Sequence, residues 1–416
     1  MSKSAGELLK ERTARFENAI TLQPTDRVPV VISFAFFAAK YSGFTPAEVM
    51  FDADKMTQAW VKTYTDFQID AYNNPFGLHF TGPVLEALDY KQLRIPGRDA
   101  DPNHSYQFVE GEYMKVSEYD DFLFDPTGFI LRCYWPRVFG VLEPFKTLPP
   151  FDEILNYAMG LDNFRLLDET GLTSALEALL KAKKLLDKRA VAAREYAQIL
   201  NSMGYPPQTT AFSQAPFDTI ADYFRGMRGV MVDMYRCPDK LLAACDKMLP
   251  IMLRLGVSRA KASGNPRVLI PIHKGLDSFM SPSQFKTFFW PTLRKLILGL
   301  IGKGLVPNVF WEGDCTSRLE IIADIPRAKA IYAFERTNIF KAKEILKDHI
   351  CIRGNVPSSL LCTGNIQDVQ DYCKKLIDVV GKGGGFIMDA ANSLDEEKPA
   401  NVKAMIDFTK EYGVYK

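Results

Sequence analysis

The sequence predicts an α/β protein, a (β/α)8 TIM barrel carrying one insertion after its second strand. Three observations lead there. Eight short, β-rich runs recur along the 416 residues, with amphipathic helical patterns between most of them. Several of these runs are apolar on both faces, as parallel strands buried between two layers are. The alternation breaks once, over 77–165, a stretch rich in Tyr, Phe, Asp, Pro and Gly.

The elements follow in order. The opening MSKSAGELLKERTARFENAI is charged and helix-like, without the apolar centre of a secretory leader. VPVVISF (28–34) is the first strand, 54–70 a helix with apolar residues at helical spacing, and DAYNNPF (70–76) a weaker second strand. Within 77–165, QLRIPGRD and YQFVEGEYMKVSEYDDF predict a small antiparallel element. The whole insertion is expected to form a cap over the C-terminal face, because long barrel loops gather at one end. Leu172, Leu176, Leu179 and Leu180 make a helical stripe. QTTAFS (208–213), RVLIPIH (267–273), VPNVFW (306–311), AIYAFE (330–335), ICIRGN (350–355) and GFIMDA (385–390) complete the eight strands. Ser281-Pro282 is an N-cap followed by proline at the first helical position, opening a helix over 282–303; 366–380 and 399–412 are helices too. The GKGGG run at 381–385 suits a helix end and tight turn. With no linker and no internal repeat, the expectation is a single domain over 1–416.

Composition removes several classes of function. Lys and Arg number 51 against 50 Asp and Glu, so no nucleic-acid partner is expected. Seven scattered cysteines without a CxxC argue against a disulfide framework and for a reducing, cytoplasmic setting. No apolar stretch approaches the roughly 18–20 residues of a membrane span. The oligomeric state stays open, a homodimer included.

Barrel active sites lie at the C-terminal ends of the strands. There the sequence places His273, Glu312, Glu335 and Asp389, the catalytic candidates, with Lys274, Asp277, Asp314 and Cys315 beside them. His273 ends an apolar strand in a chain with only four histidines. Glu312 follows Phe310-Trp311, an apolar neighbourhood that raises a carboxyl pKa and suits acid work or metal binding. His273 and Glu312 are therefore also the candidate metal ligands. Asn73 and Asn355, also at strand ends, and Phe34, Phe36, Phe37 and Trp311 are candidate substrate contacts. Each carboxylate has a framework alternative: strand-end acids cap helices, and Glu335 is adjacent to Arg336. Phosphate loops (GxxxxGK[ST]), HExxH and GxSxG are missing from the sequence.

ERTARFENAITLQPTDRVPV, FDTIADYFRGMRGVMVDMYRCPDKL, SPSQFKTFFWPTLRKLI, GNVPSSLLCTGNIQDVQDYCKKLIDVVGKGGGFIM and PANVKAMIDFTKEYG together resemble the uroporphyrinogen decarboxylase superfamily over nearly the full length. The resemblance implies a (β/α)8 barrel and one of two chemistries, decarboxylation of uroporphyrinogen or methyl transfer involving a corrinoid. The decarboxylases carry an RQAGR segment after the first strand; SFAFFAAKYSG (33–43) stands there instead, without arginine. A substrate with eight carboxylates needs cationic partners, so the decarboxylase reading is rejected. Zinc-dependent methyltransferases of the superfamily carry His-x-Cys-Gly after the fifth strand. Phe310-Trp311-Glu312-Gly313 replaces it, and DAANS after the last strand lacks the further cysteine. That zinc site is absent as such, although one rebuilt on His273 and Glu312 stays open. His273 to Ser281 resembles the H-x-G-x-D-x-F-M-S signature of corrinoid methyltransferases in demethylation systems. The expectation is transfer of a methyl group from a small methoxylated aromatic donor to a Co(I) corrinoid, in an O-demethylase. The corrinoid would arrive free or on a separate corrinoid protein, since no DxHxxG motif is present. A metal-dependent lyase or decarboxylase working without corrinoid is the alternative within enzymes; a non-catalytic binding protein is the alternative outside them.

Overall fold

The computed structural model describes residues 3–77, 79–149, 162, 165 and 171–415. Helix α1 (Ala5–Ile20) starts at Ser4, which exchanges hydrogen bonds with Glu7 in a capping box. Its buried face, Phe16, Ala19 and Ile20, meets Val31, Ala71, Ile331, Cys351 and Ile387. Those five come from five different strand segments, so α1 plugs the N-terminal mouth of the barrel. Asp70, fully buried, fixes the plug: Arg15 Nη1 and Arg27 Nη2 lie 2.7 and 2.8 Å from its Oδ1.

Helix α2 (Ala53–Phe67), capped by Asp52, lies between the first two strand segments. In the insertion, helix α3 (Gly82–Ala87) precedes β1 (Leu93–Arg94) and β2 (Gln107–Phe108), which pair antiparallel as the sequence predicts. Residues 150–161, 163–164 and 166–170 lie outside the described residues, and with them most of the end of the 77–165 stretch. Helix α4 (Leu172–Ser202) opens on the leucine stripe. Leu172 and Leu179 pack on Leu142 and Phe145 of the insertion, but Leu176 and Leu180 are exposed.

Six barrel strands form one parallel sheet in sequence order: β3 (Ala211–Phe212), β4 (Arg267–Ile272), β5 (Val306–Trp311), β6 (Ile331–Phe334), β7 (Cys351–Arg353) and β8 (Phe386–Ile387). Segments 28–34 and 69–73 close the ring through isolated parallel bridges. Val30 pairs with Met388 and Tyr72 with Pro207. The Asp70 N–H donates to the Val30 carbonyl at 2.8 Å. Pro29, Pro206 and Pro207 remove N–H donors here, which is why the ladder is so short. The fold is thus an eight-stranded α/β barrel. Outside it run α5 (Pro238–Ser263), α6 (Trp290–Ile301), α7 (Ile366–Val379) and α8 (Pro399–Tyr412). Ser281 caps its helix in a capping box with Pro282 at the first position, as expected, but a π-helical turn over Phe285–Phe289 interrupts it before α6.

Strand alternation decides which side chains reach the interior. On β5, Trp311 faces the helical layer, its ring 6.4 Å from Phe285 and 5.8 Å from Tyr332. Asn308, Phe310 and the following Glu312 therefore face the lumen.

Candidate active site

β4 stops at Ile272, and the next position, His273, turns inward above it. Asp218 fixes that strand end: its Oδ2 accepts from the His273 N–H at 2.9 Å and its Oδ1 from the Lys274 N–H at 2.8 Å. One turn later, on the π-helical stretch Ile220–Arg225, Asp222 places Oδ2 2.6 Å from His273 Nδ1. Gln214 Nε2 donates to the same oxygen at 2.8 Å, and Lys274 Nζ is 3.5 Å from the other. On the far side of the ring, His273 Nε2 is 3.5 Å from Glu312 Oε2. A line of groups results, Gln214–Asp222–His273–Glu312. Its anchored end is buried, Asp222 being 8% exposed, and its working end is open, His273 and Glu312 being 32% and 37% exposed. Gly313 makes the turn after Glu312 possible: its φ is +148°, and a Cβ there would sit 2.6 Å from Leu276 Cδ1.

Burial and like charges set the protonation states. Burial alone would lower the His273 pKa, but Asp222, Asp218 and Glu312 outweigh it and raise it to about 9. Burial, then Asp222, pushes Asp218 up to about 7 against its hydrogen bonds. Glu312 is raised by burial; His273 opposes this, while Glu335 and Asp222 reinforce it. The recess thus holds a histidine that keeps its proton and a carboxyl that gives one up reluctantly. Both are suited to donating a proton to a leaving oxygen.

The insertion reaches this recess. The Tyr106 ring lies 6.0 Å from Phe36 and 6.5 Å from His79. Its phenol is raised by burial and then by Asp395 and Glu312. The insertion is tied to the turn that carries Asp222: the Phe224 carbonyl accepts from the Tyr113 and Met114 N–H groups, each at 2.7 Å.

The structure brings three of the sequence candidates together: His273, Glu312 and, on the adjoining strand end, Glu335, whose charge acts on Glu312. Others stand elsewhere. Asp389 is held by Arg353, Nε and Nη2 lying 2.7 and 2.6 Å from its Oδ2, and burial pushes its pKa up to about 6. It belongs to a deeper ion pair rather than to the His273 line. The amide of Asn355 is fully used by the framework, donating to the Glu335 and Thr337 carbonyls at 3.1 Å and accepting from Tyr372 at 3.3 Å. Its role is to set the loop that carries Glu335. Trp311 is completely buried on the helix side of β5, and Phe34 and Phe37 pack with Phe67 at 5.7 and 5.6 Å. These three are core residues, because strand alternation and the α2 contact turn them away from the lumen. Phe36, buried as well, contacts His79 and Tyr106 at the edge of the recess. Asn73 lies beside Gln208, whose amide reaches Arg353 at 2.8 Å.

Among the described residues, no group of three or more His, Cys, Asp or Glu side chains is placed to hold a metal ion. Asp222 and Glu312 stand at opposite nitrogens of the His273 ring, so they cannot share one ion with it. The residues do not fit a three-ligand zinc site. Cys315 adds nothing: burial pushes its thiol up, and it is hydrogen-bonded to Thr337. The sequence reading missed Asp218, Asp222 and Gln214. A signal was there, two aspartates four residues apart inside the largely apolar AFSQAPFDTIADYF.

No described helix is long and apolar enough to cross a membrane. The uroporphyrinogen decarboxylase (URO-D) family model matches residues 173–412. The uroporphyrinogen decarboxylase of Chlorobium phaeobacteroides is 22% identical over 334 residues, covering 73% of this chain and 90% of that protein. That of Chlorobium phaeovibrioides is 26% identical over 318 residues, covering 69% and 88%. A solved methyltransferase from Methanosarcina mazei superposes with a TM-score of 0.60 at 17% identity, over 96% of this chain and 98% of that one. At that identity the likeness speaks to the fold alone.

Proposed function

The chain belongs to the uroporphyrinogen decarboxylase (URO-D) family, and from that premise we propose that it is a corrinoid-dependent methyltransferase acting on a small methoxylated aromatic donor. The observation that carries the reading is the open-ended line Asp222–His273–Glu312, in which the surrounding acids favour a proton on His273. The recess is walled by carboxyl groups rather than by arginines, and the buried, arginine-free 34–37 segment offers a polycarboxylate no cation. That argues against the decarboxylation for which the curated relatives are named, and in favour of an uncharged substrate.

A Co(I) corrinoid, when bound, supplies the nucleophile that takes the methyl group. The protein's own part is the leaving oxygen. Asp222 holds His273 by Nδ1, so Nε2 faces the opening with its proton. His273 Nε2 or the raised Glu312 carboxyl donates to the phenolate oxygen as its bond to the methyl carbon breaks. Glu312, 3.5 Å away, then compensates the charge change on the ring. Tyr106, beside Phe36 at the edge of the recess, would contact an incoming planar ring system. The insertion acts as a cap that shields the aromatic donor from water.

Glu312→Gln keeps the shape and removes the titrating proton. Methyl transfer, followed as loss of the Co(I) absorption band with a panel of methoxyaromatics, should fall about 10²-fold, the scale of one general acid. An unchanged rate removes Glu312 from the mechanism. Turnover of substrate with no corrinoid present replaces this reading with a corrinoid-free lyase.

A further inference from the structure

We propose that a cavity on the flank of the barrel, built from residues the His273 recess does not use, binds a small carboxylate with an apolar body. The cavity has a volume of about 340 Å³. Three elements meet at it: Phe51 and the start of α2, Phe80 and Val84 where the insertion begins, and Leu185, Lys188 and Arg189 on α4. Its walls are thus aromatic and aliphatic, with two cations on one helix.

Among the described residues those cations have no counter-ion. Among the described residues neither Lys188 nor Arg189 makes an ion pair or hydrogen bond. The adjacent acid on α4, Asp187, is taken by Lys183 at 2.6 Å. Arg189 is half-buried, and Arg259 adds to the positive potential around it. Asp52 also lines the cavity, but its Oδ1 already caps α2, accepting from the Asp54 and Lys55 N–H groups at 2.9 and 3.0 Å. The lining therefore keeps a net positive charge beside apolar walls. A half-buried guanidinium without a partner is unfavourable, and a carboxylate meets its planar fork with two parallel hydrogen bonds. The volume lies at the small end of ligand pockets, enough for a one- or two-ring acid. Inorganic phosphate would satisfy the charge and leave the walls unfilled. A neutral ring would do the reverse.

The test uses the full chain with benzoate and 1-naphthoate, read by saturation-transfer NMR and by the thermal midpoint. Benzamide and inorganic phosphate report ring and charge separately. At least one carboxylate should bind and raise the midpoint, with benzamide and phosphate each at least about tenfold weaker, the worth of one charge-assisted contact. Arg189→Met, which keeps the apolar stem, should weaken the carboxylate about tenfold. Val84→Phe, which fills the cavity, should abolish binding and serves if the first variant does not fold. His273→Ala should leave binding unchanged. The proposal is overturned if neither carboxylate binds, if Arg189→Met and Val84→Phe bind as well as wild type, or if His273→Ala abolishes the signal and so moves the ligand to the recess.

Discussion

His273 shows how little of a residue's chemistry lies in the residue. Desolvation at the strand end favours the neutral ring unless something holds the proton. Here Asp222 at 2.6 Å and the Asp218 carboxylate reverse the sign of the effect and raise the pKa to about 9. The linkage has a definite direction. His273 binds its proton more tightly folded than unfolded, about 9 against 6.5. Its contribution to stability is therefore complete below pH 6.5 and is lost as pH rises through about 9. Asp218, raised from 3.8 to about 7 mainly by burial, acts with the same sign: stability falls as pH rises through that window. Asp222→Asn removes the main support. In that variant the His273 ring should titrate at or below its ordinary value when followed by proton NMR. The loss of stability between pH 6.5 and 9, seen in urea midpoints, should flatten by about 1 kcal/mol after solvent screening. An unshifted His273 titration would mean that Asp222 does not set its protonation.

At the scale of one element, β5 carries the lesson. Phe310, Trp311 and Glu312 are neighbours in sequence, and the strand sends Trp311 to one face and its two neighbours to the other. The sequence shows an aromatic residue next to an acid and invites a shared pocket. The pleat separates them. Trp311 instead joins Phe285 and Tyr332 in the helix layer behind the site. Trp311→Ala should cost about 3–5 kcal/mol of stability, the scale of a buried aromatic deletion, in a denaturant titration. Substrate KM should change little in the fraction that stays folded. A large KM change at unchanged stability would return Trp311 to the pocket.

At the scale of the whole molecule, the barrel is closed by its weakest ladder and by its first helix. Segments 28–34 and 69–73 hold their neighbours through isolated bridges rather than continuous ladders. Asp70 compensates, accepting from the Val30 N–H at 2.8 Å as well as from Arg15 and Arg27. One fully buried carboxylate thus ties the α1 plug to both weak strands. Asp70→Ala takes the acid from Arg27 and leaves Arg15 with the more exposed Glu11 and Asp26, and should destabilise the protein by about 3 kcal/mol, the lower end for breaking a buried ion pair. Urea unfolding measures it; a change under about 1 kcal/mol would show that the plug is held by its apolar face alone.

The eight strand runs, the Ser281-Pro282 helix start and the small antiparallel element were legible in the sequence. Each rests on local rules: period, capping and proline, which act over a few neighbouring residues. His273 and Glu312 were legible because strand ends point at the mouth of such a barrel. The rest of the site was not. Asp222 lies 51 residues from His273 in sequence, and no local pattern ties a carboxylate on a π-helical turn to an imidazole on the next strand. Phe34, Phe37, Trp311 and Asn355 looked available in sequence. Their placement depends on pleat direction and on what packs against them, here α2 and the loops after β6 and β7. The sequence by itself determined the strands, most of the helices and which polar residues stand at the strand ends. Only the tertiary structure decided which carboxylates share an enclosed, poorly solvated space with His273, and that shared space sets its charge.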